Sequence, residues 1–385
     1  MKILESIFAF LASYAFATVI FLFLLLLTFV GTLEQVDMGL YETQQKYFNS
    51  IFLVHKFFDT VPMLLPGVQL LLILLAINLI AGGIIRLRKR ATTVGVLIAH
   101  FGILVLMFGG WVKYAYAEEG HLTLFEKQQS SVFESYYDWE ITIQKVGDTK
   151  EHLIDGERFQ DMNPSESRVF PVKDSPLEVT LRGYAPNARV MPKGPAFETA
   201  QPVIDGVFLN PEPLAKEAEQ NVAGVYVTIK HTPSGQTQDG ILWGFAQSPM
   251  PVNFAGESWL VDLHHKRYPM PFAITLNKFH HELHPGTSRP KMFMSEVTKI
   301  ENNTPQDYRI EMNEPLRHKG LTLYQSGWGP QNARPGQPLF STFSVVRNPA
   351  DQVPLISCLI VTFGMLVHFG LKLTRYLRAE SKRLA

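Results

Sequence analysis

Two histidines stand where ionisable residues are rare. His100 falls in a run from 91 to 112 and His368 in one from 353 to 371, and each is the only Asp, Glu, Lys, Arg or His of its run. An ionisable side chain inside a bilayer is costly without a partner or a cavity, and by default it marks a functional site. A neutral imidazole there can bind iron, relay a proton or hydrogen-bond a backbone carbonyl. By helical rise, His100 lies about 14 Å and His368 about 6 Å from the basic-flanked end of its run. A haem held edge-on between helices can take one or both as axial ligands. For His100 an interhelical hydrogen bond is an equal alternative. For His368, one turn from Lys372, an interfacial position without function is the better reading.

A second histidine group, His280-His281-Glu282-Leu283-His284, lies far from these, with His264-His265 upstream. It is not the HExxH of a zinc protease, because one residue rather than two separates Glu282 from His284. The preceding run, 274–279, reads as a strand, which would put His280, Glu282 and His284 on one face. A solvated polar face is preferred over a metal site, which would also need a second shell of partners. There is no GxSxG, no P-loop and no GxGxxG. Cys358, the only cysteine, sits in an apolar run where a thiol stays protonated and inert. One cysteine also excludes an internal disulfide, a CxxC pair and a CxxCH haem-attachment site.

The elements that hold these residues follow from charge distribution. Hydrophobic residues make up 46% of the 385 positions and charged ones only 18%, with 35 basic against 35 acidic side chains. A balanced charge argues against a nucleic-acid partner. Four runs, at about 7–30, 67–85, 91–112 and 353–371, are long and apolar enough to cross a hydrocarbon core of about 30 Å. The first is too long for the apolar core of a signal peptide and lacks a small-residue cleavage pattern, so it is read as an uncleaved anchor. Arg86-Leu87-Arg88-Lys89-Arg90 and the tail with Lys372, Arg375, Arg378, Lys382 and Arg383 are expected in the cytoplasm, with both termini. The segment 118–351 is then extracytoplasmic, and 352–385 holds the last span and a basic tail.

Between the first two spans, Tyr47, Ile51, Val54, Phe58 and Val61 recur at spacings of four and three, which predicts an amphipathic helix over about 43–61. It would lie at the outer membrane interface or pack under the soluble domain; the spacing does not choose. From Gly120 onward the pattern alternates, as in 121–125, 139–143, 177–181, 225–229 and 321–324, separated by Pro, Gly and Asn. These are antiparallel strands, and a β-sandwich or open barrel is expected. Residues 187–213 read as a long surface loop and 213–220 as a short helix. The fold class is therefore an integral membrane protein with four transmembrane α-helices and a large all-β extracytoplasmic domain.

Two stretches of that domain carry a resemblance. FHHELHPGTSRPKMFMSEV, at 279–297, and MNEPLRHKGLTLYQSGW, at 312–328, resemble the ResB family, also called CcsB, of system II cytochrome c biogenesis. The layout is similar too: three early spans, a large outer domain, then a last span with a basic tail. The resemblance implies a bacterial inner-membrane protein that moves haem b with a ResC (CcsA) partner for attachment to apocytochrome c at CxxCH. The partner would carry the tryptophan-rich haem-handling segment, since the five tryptophans here are scattered. The family's histidine in the third span matches His100, implying axial ligation of haem within the lipid bilayer, the opposite ligand coming from the partner. His368 has no such match and stays secondary. The chain itself is expected to be a non-catalytic or co-catalytic subunit, and a scaffold or chaperone without haem is the alternative.

Overall fold

The computed structural model describes residues 2–57, 60–195, 197–286, 290–330, 333–334 and 336–384. Internal contacts divide the chain into two units, Met1–Ala117 with Asn348–Ala385, and Glu118–Arg347.

The first unit is helical. Helix α1 (Lys2–Leu11) is followed by α2 (Tyr14–Met38), so the expected span at 7–30 is broken and the crossing helix begins later. Ser13 causes the break: its Oγ accepts the Phe16 N–H at 3.1 Å and caps α2. Carbonyls freed at such a break need donors that lipid cannot supply. Asn78 provides one for Leu11 O, its Nδ2 donating at 2.6 Å, and also donates at 3.0 Å to Ser13 O, which already accepts the Ala17 N–H. Three further helices are long and apolar enough to cross: α4 (Val68–Asn78), continued as a π-helix over Leu79–Ile85, α5 (Val94–Tyr116) and α6 (Val353–Leu384). This is an integral membrane protein with four spans.

Between α2 and α4 the expected helix over 43–61 is replaced for most of its length. A short α3 (Leu40–Thr43) runs into a π-turn at Gln44–Phe48, and then β1 (Phe52–Phe57) pairs antiparallel with β2 (Val61–Pro66). The run 51–57 is β-branched and aromatic, and Pro62 and Pro66 bar a continuing helix. Burial alternates accordingly: Leu53 and His55 face inward while Phe52 and Val54 are exposed. Phe58 and Asp59 lie outside the described residues.

Helices α5 and α6 pack through glycine. Gly95, Gly102 and Gly109, seven residues apart, are the buried residues of α5. A Cβ on Gly95 would lie 2.5 Å from Gly364 O, and one on Gly364 would lie 2.6 Å from Ala99 N. Ser357 Oγ donates to Gly102 O at 2.5 Å across the seam. Small residues let backbones approach where no hydrophobic effect drives association in lipid.

The second unit is all-β. Its strands are β3 (Glu118–Phe125), β4 (Gln129–Lys145), β5 (Glu151–Asp155), β6 (Ser167–Pro171), β7 (Leu177–Ala185), β8 (Ala188–Pro192), β9 (Val207–Pro211) and β10 (Gly224–His231). They continue with β11 (Thr237–Trp243), β12 (Met250–Phe254), β13 (Glu257–Leu283), β14 (Pro290–Glu301), β15 (Thr304–Glu311), β16 (Leu316–His318), β17 (Leu321–Gly329) and β18 (Phe340–Arg347). A four-stranded sheet, β11-β10-β7-β6, faces a large sheet ordered β15-β14-β13-β4-β3-β18-β17-β16, with β12 and β5 on its flanks.

The long strands β4 and β13 serve two cores. Trp139, Ile141, Ile143, Val261 and Leu263 pack on Val179, Leu181, Val225 and Val227 of the smaller sheet, forming a sandwich. Further along β13, Phe272, Ile274 and Leu276 join Leu122, Leu124, Val297, Leu323 and Phe343 in a second, barrel-like core. The change of core falls between Leu263 and Tyr268, at the register shift between His265 and Arg267. A second shift follows between Pro269 and Ile274, where Pro269 and Pro271 cannot donate to a ladder. Side chains draw the ends of the large sheet together: Ser295 Oγ donates to Gln325 Oε1 at 2.6 Å, and Gln325 Nε2 to Ser341 Oγ at 2.8 Å.

The segment 187–213 is not an open loop. β8 and β9 form a hairpin pinned by Tyr226, whose hydroxyl donates to Pro202 O at 3.0 Å and accepts from Leu209 N–H at 2.9 Å. The helix expected at 213–220 is one 3₁₀ turn, Ala218–Gln220.

Candidate functional site in the spans

His100 lies in the first half of α5, and its Nδ1 is 3.0 Å from the carbonyl oxygen of Gly83. A carbonyl only accepts, so Nδ1 carries the proton, and in the neutral ring the lone pair is left on Nε2. Nε2 has no hydrogen-bond partner among the described residues. This is the second-shell arrangement that orients ligating imidazoles elsewhere. Gly83 belongs to the π-helical segment Leu79–Ile85, a geometry often found at functional sites. A Cβ on Gly83 would sit 2.6 Å from His100 Nδ1, so only glycine leaves room for the ring.

His368 is held differently. Gly95 packs against its backbone, with a virtual Cβ 2.5 Å from His368 N. Its Nδ1 is buried without a hydrogen-bond partner. His100 lies five residues beyond Gly95, about 140° around the helix at 100° per residue. The two candidate ligands therefore do not converge: His100 addresses the second span, and His368 sits along the α5–α6 seam.

The outer histidine group is on β13, as a strand. His280 Nε2 is buried without a hydrogen bond, 3.6 Å from Glu296. His281 stacks on Trp328 with centroids 4.3 Å apart, and Glu282 pairs with Lys291 at 2.9 Å. His284 lies past the strand's end. Among the described residues no three His, Cys, Asp or Glu side chains are placed to share a metal.

Two polar clusters escaped the sequence reading. At the end of α2, Glu34 accepts from Lys46 Nζ at 2.8 Å and lies 3.2 Å from His55 Nδ1, which shares a 2.6 Å hydrogen bond with the fully buried Tyr47 hydroxyl. Burial pushes the Tyr47 phenol well up. In the β unit, four residues of β4, 135–138, are looped out opposite Lys266. There His265 stacks on Trp139 at 3.9 Å and His121 on Tyr136 at 5.4 Å. Burial lowers the pKa of both, that of His265 to about 4, so both are neutral at pH 7. No motif signals either cluster, because each joins strands or helices distant in sequence.

Four spans, with an all-β unit inserted between the third and fourth, define a polytopic membrane protein in which His100 is an intramembrane imidazole oriented by a hydrogen bond. Comparison with known proteins narrows the class. Residues 244–337 match the ResB-like family, a segment that contains both motif stretches and lies wholly within the β unit. A cytochrome c biogenesis protein CcsB of Synechococcus sp. (strain CC9902) is 30% identical over 89 residues, 23% of this chain and 21% of that protein. The protein of the same name from Prochlorococcus marinus (strain NATL2A) is 34% identical over 90 residues, 23% and 21% of the two chains. That of Synechococcus sp. (strain CC9605) is 30% identical over 118 residues, 30% and 25%. The resemblance read from the motifs holds in this segment. The matches span about a fifth to a quarter of these relatives, and His100 lies outside the family match.

Proposed function

We propose that the chain is a ResB-type subunit of a system II cytochrome c synthase, acting with a ResC (CcsA) partner. His100 is its ligand to haem b. The single observation that carries this reading is the His100–Gly83 hydrogen bond, which turns an intramembrane imidazole into an oriented ligand with the lone pair on Nε2. Bound haem would supply the ferrous iron and the vinyl groups that apocytochrome thiols attack. The chain's own part is to present Nε2, hold the ring's tautomer through Gly83 and keep water from the site. A neutral nitrogen ligand of this kind suits a haem that must later leave. His368, with Nδ1 unpaired in the α5–α6 seam, is the secondary candidate. The arginine-rich hairpin 86–90 and the basic tail of α6 support a topology with both termini in the cytoplasm and the β unit outside. In this reading the membrane is a bacterial inner membrane and apocytochrome c is met on its outer side.

The test is spectroscopic. The chain is co-expressed with its partner, purified in detergent and scanned for a Soret band. His100→Ala is expected to remove most of the co-purified haem and the cytochrome c yield; unchanged values for both would reject the ligand role.

A second reading is a scaffold for the partner or the apocytochrome, with no haem of its own. The placement of the family match entirely in the β unit favours it. It predicts a colourless assembly in which β-unit substitutions still abolish cytochrome maturation.

A further inference from the structure

The hairpin β1–β2 has a face that no described residue covers. Directly paired residues share a face, so Phe52 and Pro66, Val54 and Leu64, and Lys56 and Pro62 lie together. On this face Phe52 is 59%, Val54 55% and Leu64 68% exposed, and neighbouring Ile51 is 41% exposed. The opposite face is buried at its base, where Leu65 and Leu53 join Tyr47, Val68 and Leu71 in the core of the helical unit. Toward the tip that face too is exposed and apolar, with Val61 and Met63.

The hairpin's height relative to the bilayer is fixed by its connections. β2 ends at Pro66 and the crossing helix α4 begins at Val68. Between them Gly67 N–H donates to Ile51 O at 2.7 Å, and a Cβ on Gly67 would overlap the Ser50 carbonyl. The hairpin neck is thus pinned one residue from the start of a span. The clasp of Glu34, Lys46, Tyr47 and His55 ties the same hairpin to the end of α2. Six residues of strand reach about 20 Å from that neck. A water-facing hairpin of that length would expose an apolar face on both strands, although its neck is one residue from a span whose Leu72 and Ile73 are themselves exposed.

From this apolar face and its attachment beside a span we infer that β1–β2 lies in the interfacial layer of the bilayer, its Phe52, Val54 and Leu64 face inserted among lipid headgroups and upper acyl chains. The hairpin is a lipid-binding element beside the spans. Apolar burial drives it, because Lys46 is already paired with Glu34 and Lys56 is the only other lysine in the connection between α2 and α4. Insertion is therefore indifferent to lipid charge.

The chain's single cysteine makes the test direct. In full-length protein with Cys358→Ser, one cysteine is placed by Val54→Cys or Leu64→Cys, with Val146→Cys in the β unit as an aqueous reference. Each is nitroxide-labelled and reconstituted in phosphatidylcholine vesicles, with or without a quarter phosphatidylglycerol. Collision rates with oxygen and with a water-soluble nickel chelate are then compared. At 54 and 64 the oxygen-to-nickel ratio is expected to exceed the reference several-fold, equally in both lipid mixtures. A ratio like that at 146 means the face is in water. Low collision with both reagents means protein covers it, and a rise only with anionic lipid means surface charge holds it. Any of these three outcomes overturns the inference.

Discussion

The Nδ1 atom of His100 lies 3.0 Å from the carbonyl oxygen of Gly83, joining the third span to the π-helical end of the second. This one hydrogen bond decides which ring nitrogen keeps its lone pair, and it depends on a residue with no side chain. Gly83→Ala would put a methyl group 2.6 Å from Nδ1 and force the ring from its place. Haem per protein, read from the Soret band of the co-purified complex, is expected to fall several-fold. Gly110→Ala, in open space on α5, is expected to leave it unchanged. Equal behaviour of the two variants would mean that Gly83 does not position the ring.

Asn78 serves the first span in a comparable way, by closing the helix break at Leu11 and Ser13. Asn78→Leu keeps the branched shape and removes both donors. It is expected to lower stability by about 1 kcal/mol, the usual scale for a polar contact between helices in lipid. Thermal unfolding in detergent checks this against Ile77→Leu, a lipid-exposed neighbour.

In the barrel-like half of the β unit, Gln325 satisfies two fully buried serines, Ser295 and Ser341. Gln325→Leu leaves the two hydroxyls only each other, 2.9 Å apart, so one O–H loses its acceptor between β14, β17 and β18. A loss of about 1–3 kcal/mol is expected from unpaired buried polar groups. Replacing all three residues with apolar ones should recover part of it, since no buried hydroxyl then remains and only Gly327 O loses a donor. A triple variant weaker than the single one would contradict this account.

The acid side of the stability profile should report His265. Its folded pKa is lowered to about 4 from the ordinary 6.5, first by burial and then by His121. Between those values the unfolded chain binds a proton that the folded chain does not. Stability is therefore complete above pH 6.5 and declines as pH falls toward 4, by up to about 3 kcal/mol. His121, held low by the same burial, adds to that slope. Glu301, whose pKa is lowered to about 2 by Lys319 and His318, loses its contribution only below pH 4.5. His265→Gln is expected to flatten the decline between pH 6.5 and 4.5. Trp139, stacked on the ring, supplies the fluorescence readout.

How much of this was legible in the sequence differs by element. Apolar runs and alternating strands announced the spans and the β unit, because both periods are set by burial along a contiguous stretch. His100 was visible as an exception within such a run. Its partner was not: Gly83 acts through a carbonyl, and no residue type signals that. The stretch 43–61 misled because a four-three spacing of apolar residues also fits a bent helical segment leading into a strand with one exposed apolar face. Pro62 and Pro66 were the clues that a helix could not continue. The break at Ser13 was hidden for another reason, since the donor that stabilises it, Asn78, comes from a different span.

Strands β3 and β18, the first and last of the β unit, are neighbours, with Glu118 and Arg347 in register and bridged at 2.6 Å. The chain thus departs from the end of α5 and comes back to the start of α6 through adjacent doors. While 118–347 is unfolded, bringing α6 to α5 means closing a very long loop, with its entropic cost. Once that segment has folded, the same two helices are joined by what amounts to a short connection. The glycine seam between them is therefore favoured late in biosynthesis, after the inserted segment has taken shape, so a slow-folding variant of the β unit should be felt first as a fourth span that fails to dock.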